Sequence, residues 1–404
     1  MKILFVCTGV STVRIFRNIL DYLKNHNLTF LSLDNFYFQS SEEELKRNRL
    51  TYWKLDNPHS AKGRISDLPI LTIWAMLLFK IKPQIKNYLS KEKPDLIVLG
   101  TDMGFIERLI IKKAKLRNIR TVLIQHGWLF RLLSPHFYEI GDFLKYHIRN
   151  VVRFFLERIN FDYLGTGHFG KGGCDIVMVF GEGTRNRLIK TGVPDEKIIV
   201  VGNPVFDNGL DKKNNDTISQ KHFPKPLISI FTTAILADLR DTKAHLAQME
   251  EVQCILSLLK KHFKDDVQIM IKLHPREDLR DYSRFINMGY AVEKDLDSLI
   301  AIRMSDLVIT SMSSIFLESI FLGKPLLITN IKMRKTSVDK YIIKNEGIPC
   351  AESEVEFLDY VKKFIRDKNY RENSIEKQQG FLDGELYRPK NGTSRLIADR
   401  LVYR

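Results

Sequence analysis

Along this chain the apolar positions gather into short runs, each followed by a polar turn and then by a stretch whose apolar residues recur three and four positions apart. That alternation predicts strand-helix-strand units around a parallel sheet, because a strand covered by helices on both faces reads as a continuous apolar run rather than an alternating one. In the first half the predicted strands are KILFVC, LTFLSL, DLIVLG, TVLIQ, DIVMVF and KIIVV. The first helix is marked by Val13, Phe16, Ile19, Leu20 and Leu23. The second half restarts with LISIF, a long helical stretch KAHLAQMEEVQCILSLLKKHF, and then VQIMIKL, GYAVE, DLVIT and KPLLIT.

Between the halves, residues 207–226 are polar, rich in asparagine and lysine, and end in two prolines, which marks a linker. The expected organisation is a Rossmann-like domain at 1–206 with a helical insertion near 129–172, the linker, and a second Rossmann-like domain at 227–385. A tail at 386–404 is expected to cross back to the first domain. The fold class is α/β, two doubly wound domains facing a common cleft.

A length of 404 residues suits two such domains. With 44% apolar and 27% charged residues, disordered and fibrous classes are excluded. The four cysteines stand far apart with no C-x-x-C pair, which reads as reduced thiols in a cytoplasmic protein. The longest apolar run, residues 68–79, falls short of the roughly 20 needed to cross a bilayer. The amino-terminal apolar stretch is too short for a secretory signal.

A net charge of +15 calls for an anionic partner. The basic residues are dispersed and no RNA-binding motif is present, so nucleic acid is not expected. A phosphorylated substrate and an anionic membrane surface remain. The segment at 129–172, with Arg149, Arg153 and Arg158, reads as an amphipathic helix that either lies on anionic lipid or packs on its neighbours. Nothing in the sequence sets an oligomeric state.

Parallel sheets bind ligands beyond the carboxyl ends of their strands, so the residues just after each strand carry the candidate chemistry. In IMIKLHPRED, Pro275 has no N–H to continue a ladder. The chain turns there and leaves His274 at the sheet rim, either to meet a phosphate with Lys272 and Arg276 beside it or simply to end the strand. Next, DLVIT runs into SMSS and a helix, so Ser313 and Ser314 can cap that helix or bond a phosphate. Glu318, one turn deeper, can accept from ribose hydroxyls. In the first half Asp102 and His126 each end a strand with an ionisable group that could deprotonate a hydroxyl. The turn CTGVST has one glycine where a dinucleotide fingerprint needs three, which argues against a dehydrogenase. Asp295-Leu296-Asp297 begins a helix and is expected to cap it rather than bind metal, and no metal site is expected.

IKLHP followed by SDLVITSMSSIFLESIFLGKPLLI resembles the donor-binding half of GT-B glycosyltransferases. The resemblance is to groups marked by a His-Pro dipeptide and a Ser-Ser pair, the bacterial sialyl-, polysialyl- and Kdo-transferases and the CDP-glycerol glycerophosphotransferases. VFGEGTRNRLIKTGVPDEKIIVVGNPVFD also looks like the last unit of a GT-B amino-terminal domain. The resemblance implies that His274, Ser313 and Ser314 hold the phosphates of a CMP-, CDP- or UDP-linked donor, with no separate cofactor. His126-Gly127 resembles the His-Gly of the glycerophosphotransferases, where the histidine is an acid or base, and Asp102-Met103-Gly104 the acidic motif of the sialyltransferases.

The implied activity is transfer of a sugar from a nucleotide donor to a hydroxyl of a glycan or lipid-linked acceptor. The alternatives are polyol-phosphate transfer from CDP-glycerol or CDP-ribitol, and a UDP-N-acetylglucosamine 2-epimerase-like reaction. The chain departs from these groups in part. Ser311-Met312 stand where the glycerophosphotransferases have an aspartate and an aromatic, and the His-Val-Glu-Ala-Gly stretch and acidic pair of the epimerases are absent.

Overall fold

The computed structural model describes residues 1–37, 41–57, 70–127, 169–207, 224–236, 241–311, 313, 315–333 and 347–403. The chain divides into two compact units, Met1–Asn208 with Glu385–Arg404, and Gly209–Gly384. Residues 129–168 of the expected helical insertion and 208–223 of the linker lie outside the described residues.

The first unit is built on seven parallel strands: β1 (Lys2–Cys7), β2 (Asn27–Ser32), β3 (Tyr52–Lys54), β4 (Leu96–Leu99), β5 (Arg120–Ile124), β6 (Ile176–Val179) and β7 (Ile198–Val200). Their order is β3-β2-β1-β4-β5-β6-β7, so the winding reverses between β1 and β4. Register follows from the apolar runs, with Phe5 of β1 opposite Phe30 of β2 and Val98 of β4. Helices α1 (Val10–Leu20), α2 (Lys82–Glu92), α3 (Phe105–Lys115) and α4 (Glu182–Lys190) belong to this unit. The buried faces of α2 and α3 join one apolar core with Leu4, Val6, Ile97 and Leu99. The predicted strand KILFVC is β1, central in the sheet and buried from Ile3 to Cys7.

The second unit repeats the plan with β8 (Leu227–Phe231), β9 (Gln268–Lys272), β10 (Ala291–Glu293), β11 (Leu307–Thr310), β12 (Leu326–Thr329) and β13 (Cys350–Ala351), ordered β10-β9-β8-β11-β12-β13. Here the winding reverses between β8 and β11. Helix α5 (Thr242–Phe263) is capped by Asp241, whose carboxylate accepts from Ala244 N at 2.9 Å, and buries Val252, Leu256 and Leu259 against the sheet. The short helix α6 (Ile315–Phe321) stops where Gly323 adopts φ +65°, a left-handed conformation that glycine takes without strain.

Helix α7 (Lys368–Glu385) carries the chain back out of the second unit, and α8 (Thr393–Val402) packs on the first. Three contacts secure this return. Arg187 on α4 forms a buried two-pronged pair with Glu385, at 2.8 and 2.7 Å. Tyr387 N donates to Phe180 O at 2.8 Å. The carboxylate of Asp207 caps α8 by accepting from Thr393 N and Ser394 N at 2.9 and 2.5 Å.

Candidate functional site

In the second unit the carboxyl ends of β8, β9 and β11 bring a polar cluster to the place where the winding reverses. Thr233, just after β8, and Ser311, just after β11, meet hydroxyl to hydroxyl at 3.2 Å, so one hydrogen bond spans the reversal. A crevice opens there in doubly wound sheets because neighbouring connections leave to opposite faces. Gln248 of α5 fixes Thr233 by accepting from its N and Oγ1, each at 2.9 Å, and donating to its carbonyl at 3.0 Å.

His274 stands two residues beyond β9. Its Nδ1 accepts the backbone N–H of Arg276 at 3.2 Å, which leaves the ring proton on Nε2 in the neutral imidazole. An Nε2–H is what a phosphate oxygen needs. The backbone of this turn is organised by Glu277, a residue that the motif did not single out. It is 6% exposed and accepts from four donors: Thr232 Oγ1, His274 N at 2.8 Å, Gln248 Nε2 at 2.9 Å and Tyr282 OH at 2.6 Å. Desolvation pushes this carboxyl above its usual value, against the lowering effect of its four donors.

Ser313 caps α6, its Oγ accepting from Ile315 N at 3.2 Å, and lies 3.5 Å from Thr310 Oγ1. Glu318 is half-buried on α6. Ser314 lies outside the described residues. Arg276 is half-buried beside His274. Lys272 does not join this group. It is buried and its ammonium donates to the carbonyls of Leu273 and Lys294 at 2.7 and 2.9 Å, which corrects the expectation that it faces a phosphate. Burial lowers its pKa. Asp297 caps the helix Ser298–Met304, accepting from Leu299 N at 2.9 Å and Ile300 N at 3.3 Å. Among the described residues no group of three or more histidine, cysteine or acidic side chains is placed to hold a metal.

In the first unit His126 follows β5. Its Nδ1 lies 2.6 Å from the carbonyl of Gly100, just beyond β4, and a carbonyl only accepts, so Nδ1 carries the proton and Nε2 keeps its lone pair. Burial lowers the pKa of this ring, with the Gly100 carbonyl opposing. His126 and His274 are therefore held in opposite tautomers, one with a basic Nε2 and the other with a donating one.

Asp102 has the other character. It is fully buried, and its two oxygens accept from Gly170 N at 3.0 Å and Gly172 N at 2.5 Å, while Arg108 donates to the carbonyl of Lys171 at 3.1 Å. Gly172 packs so closely on Asp102 that a Cβ there would collide with it. The carboxylate ties two loops together instead of presenting an oxygen to a substrate. A buried acid that the sequence did not disclose lies close by. Glu107 of α3 accepts from Tyr37 OH at 2.6 Å, and desolvation, with Asp102 adding to it, raises its carboxyl from the usual 4.5 to about 7.

A surface cavity of about 710 Å³ opens at the amino ends of β9 and β10, lined by Val267, Met270 and Tyr290. It contains none of these residues and lies at the wrong end of the sheet for the chemistry, so volume alone does not locate the site.

Two doubly wound α/β units of this kind, with an anion-ready rim, define an enzyme of the GT-B superfamily. Within that class the match is specific: the family model for UDP-N-acetylglucosamine 2-epimerase covers residues 173–388, more than half of the chain. The chain belongs to that family. The superfamily that the motifs implied is thereby shown, with the epimerase family in place of the sialyl-, Kdo- and CDP-glycerol groups.

No curated protein matches the chain in sequence. Among solved structures, the UDP-N-acetylglucosamine 2-epimerase of Neisseria meningitidis bound to UDP-N-acetylglucosamine shares 16% identity and a TM-score of 0.59, with 100% of each chain covered. MnaA of S. aureus, solved with UDP, shares 14% identity at TM-score 0.63, covering 100% of this chain and 96% of its own. A glycosyltransferase from Rickettsia africae gives 14% identity and TM-score 0.56, covering 100% and 99%. At these identities the likeness shows the fold.

Proposed function

We propose that the protein works on a UDP-linked N-acetylhexosamine and changes the configuration at C2 without an acceptor. The observation that carries this reading is the family match, because residues 173–388 include the whole polar rim of the second unit, with His274, Glu277, Ser313 and Glu318. In this reading Nε2–H of His274 and the hydroxyl of Ser313 hold the diphosphate, Arg276 adds positive charge, and Glu318 serves the ribose. Ser314 takes part in the same subsite.

The hydrogen at C2 of such a sugar has no neighbouring carbonyl to acidify it. Its removal is balanced by departure of the UDP anion from C1, and return of a proton and of UDP gives the inverted centre. This needs a base with a free lone pair near C2 and donors on the leaving diphosphate. His126 with its lone pair on Nε2 is the base in our reading, and Asp102 is assigned to holding the loop.

Incubation with UDP-N-acetylglucosamine alone in deuterated water tests the proposal. The expected result is deuterium at C2 together with the C2 epimer, either still bound to UDP or released with free UDP. Unchanged substrate, or hydrolysis to N-acetylglucosamine with no deuterium, would sink it.

Glycosyl transfer is the second reading, and one observation favours it: the His-Val-Glu-Ala-Gly stretch and the acidic pair of the epimerases are absent from the chain, and the loop after β5 reads Gln125-His126-Gly127. A lone neutral imidazole suits an acceptor O–H. On that reading UDP is released only when an acceptor glycan is added. A melting-temperature screen with CMP, CDP and UDP separates both from a polyol-phosphate transferase, which would be stabilised by CDP.

A further inference from the structure

The two rims leave unexplained the outer face that α2 and α3 present on the first unit. Helix α2 buries Ile85, Tyr88 and Leu89, and α3 buries Leu109, Ile110, Ile111 and Ala114. Beside that buried face of α2, Lys82, Lys86 and Ser90 recur every fourth residue and share one face, and Lys113 on α3 and Arg117 in the turn that follows it are likewise four apart.

The two rows lie side by side. Arg117 donates across to Ser90 Oγ at 3.4 Å and back to the Lys113 carbonyl at 3.2 Å. Burial lowers the pKa of Lys113, and Lys82, Arg117, Lys112 and Lys86 push the same way, so these cations stand within one another's field. Nearby carboxylates are spent elsewhere, Glu92 on Lys2 at 2.5 Å and Glu107 on Tyr37. Among the described residues no carboxylate pairs with Lys82, Lys86, Lys113 or Arg117.

An exposed apolar side chain flanks each row. Phe79, in the π-helical turn Leu77–Ile81 just before α2, is 71% exposed, and Leu116 beside Arg117 is 69% exposed. Either alone would need no explanation. Together with the cations they make the amphipathic pattern of a surface that meets lipid, with charges at the level of the headgroups and apolar tips beneath them. A soluble polyanion would be served by the cations and would have no use for the apolar pair.

We propose that this face of the first unit docks on an anionic phospholipid surface, with Lys82, Lys86, Lys113 and Arg117 on lipid phosphates and Phe79 and Leu116 reaching below the headgroups.

Co-sedimentation of the full chain with vesicles of phosphatidylcholine and phosphatidylglycerol in equal parts, against phosphatidylcholine alone, tests this. Binding is expected only to the anionic vesicles, and is expected to weaken with salt. The charge-removing variant K82Q/K86Q/K113Q should bind at least about tenfold more weakly, since each cation near such a surface contributes about a fivefold step. K82R/K86R/K113R should bind as wild type, and thermal melts establish that each variant is folded. F79S/L116S should also lose binding. Absence of binding to anionic vesicles, or undiminished binding by the triple glutamine variant, overturns the proposal. If F79S/L116S binds as wild type and polyphosphate competes fully, the face serves a soluble polyanion and the lipid assignment is wrong.

Discussion

His274 accepts the backbone N–H of Arg276 on its Nδ1, a bond of 3.2 Å that fixes which ring nitrogen carries the proton. A local two-residue contact thus decides whether the imidazole donates or accepts toward a ligand. In His274→Ala, affinity for UDP should fall by about 10- to 100-fold, the loss of one hydrogen bond to a charged group, with the melting temperature of the unliganded protein nearly unchanged. Calorimetric titration with UDP measures this, and equal affinity would remove His274 from the phosphate subsite.

Glu277 accepts four donors in a buried position, and a glutamine offers one acceptor oxygen and an NH₂ that would face donors. Glu277→Gln should therefore destabilise the second unit by about 1–3 kcal/mol and weaken UDP binding through the displaced His274 turn. Denaturant unfolding gives the first effect and titration the second.

If His126 is the base, turnover depends on its neutral form. Because burial lowers its pKa below the usual 6.5, the neutral form persists to lower pH than an ordinary histidine allows, and the acidic limb of turnover should lie below pH 6.5. His126→Ala should retain UDP binding and lose turnover by about 100-fold or more. An acidic limb at or above the ordinary histidine range would contradict the assignment.

Glu107 links stability to pH. Its folded-state carboxyl is raised from 4.5 to about 7, so between those values the folded protein holds a proton that the unfolded chain gives up. Stability from this group is present at low pH and lost as pH rises through about 7. Glu107→Gln keeps the acceptor for Tyr37 OH and removes the ionisation. It should match wild type near pH 4 and exceed it at pH 8 by about 1–3 kcal/mol, read from unfolding curves at the two pH values.

Much of the fold could be read from the chain because buried parallel strands write themselves as uninterrupted apolar runs. Strands β3 and β13, of three and two residues, carry no such run and leave no signal in the sequence. The place of His274 was legible because Pro275 forces the turn. The charge of Lys272 suggests a ligand contact, while the carbonyl of Lys294 that occupies it comes from another strand end. Asp102 looked like a base because its partners, Gly170 and Gly172, are some seventy residues away. The roles of Glu277 and Thr233 depend on Gln248 and Tyr282, which only the folded sheet brings near.

The return of the chain through Glu385 and α8 has a consequence for the order of synthesis. The first unit needs residues 385–404, which leave the ribosome after the whole second unit has been made. Until then Arg187 lacks the carboxylate that neutralises it and Asp207 lacks the helix it caps. On the ribosome, the unit begun first is therefore the one completed last, and the second unit can close while its predecessor still waits for its final helix.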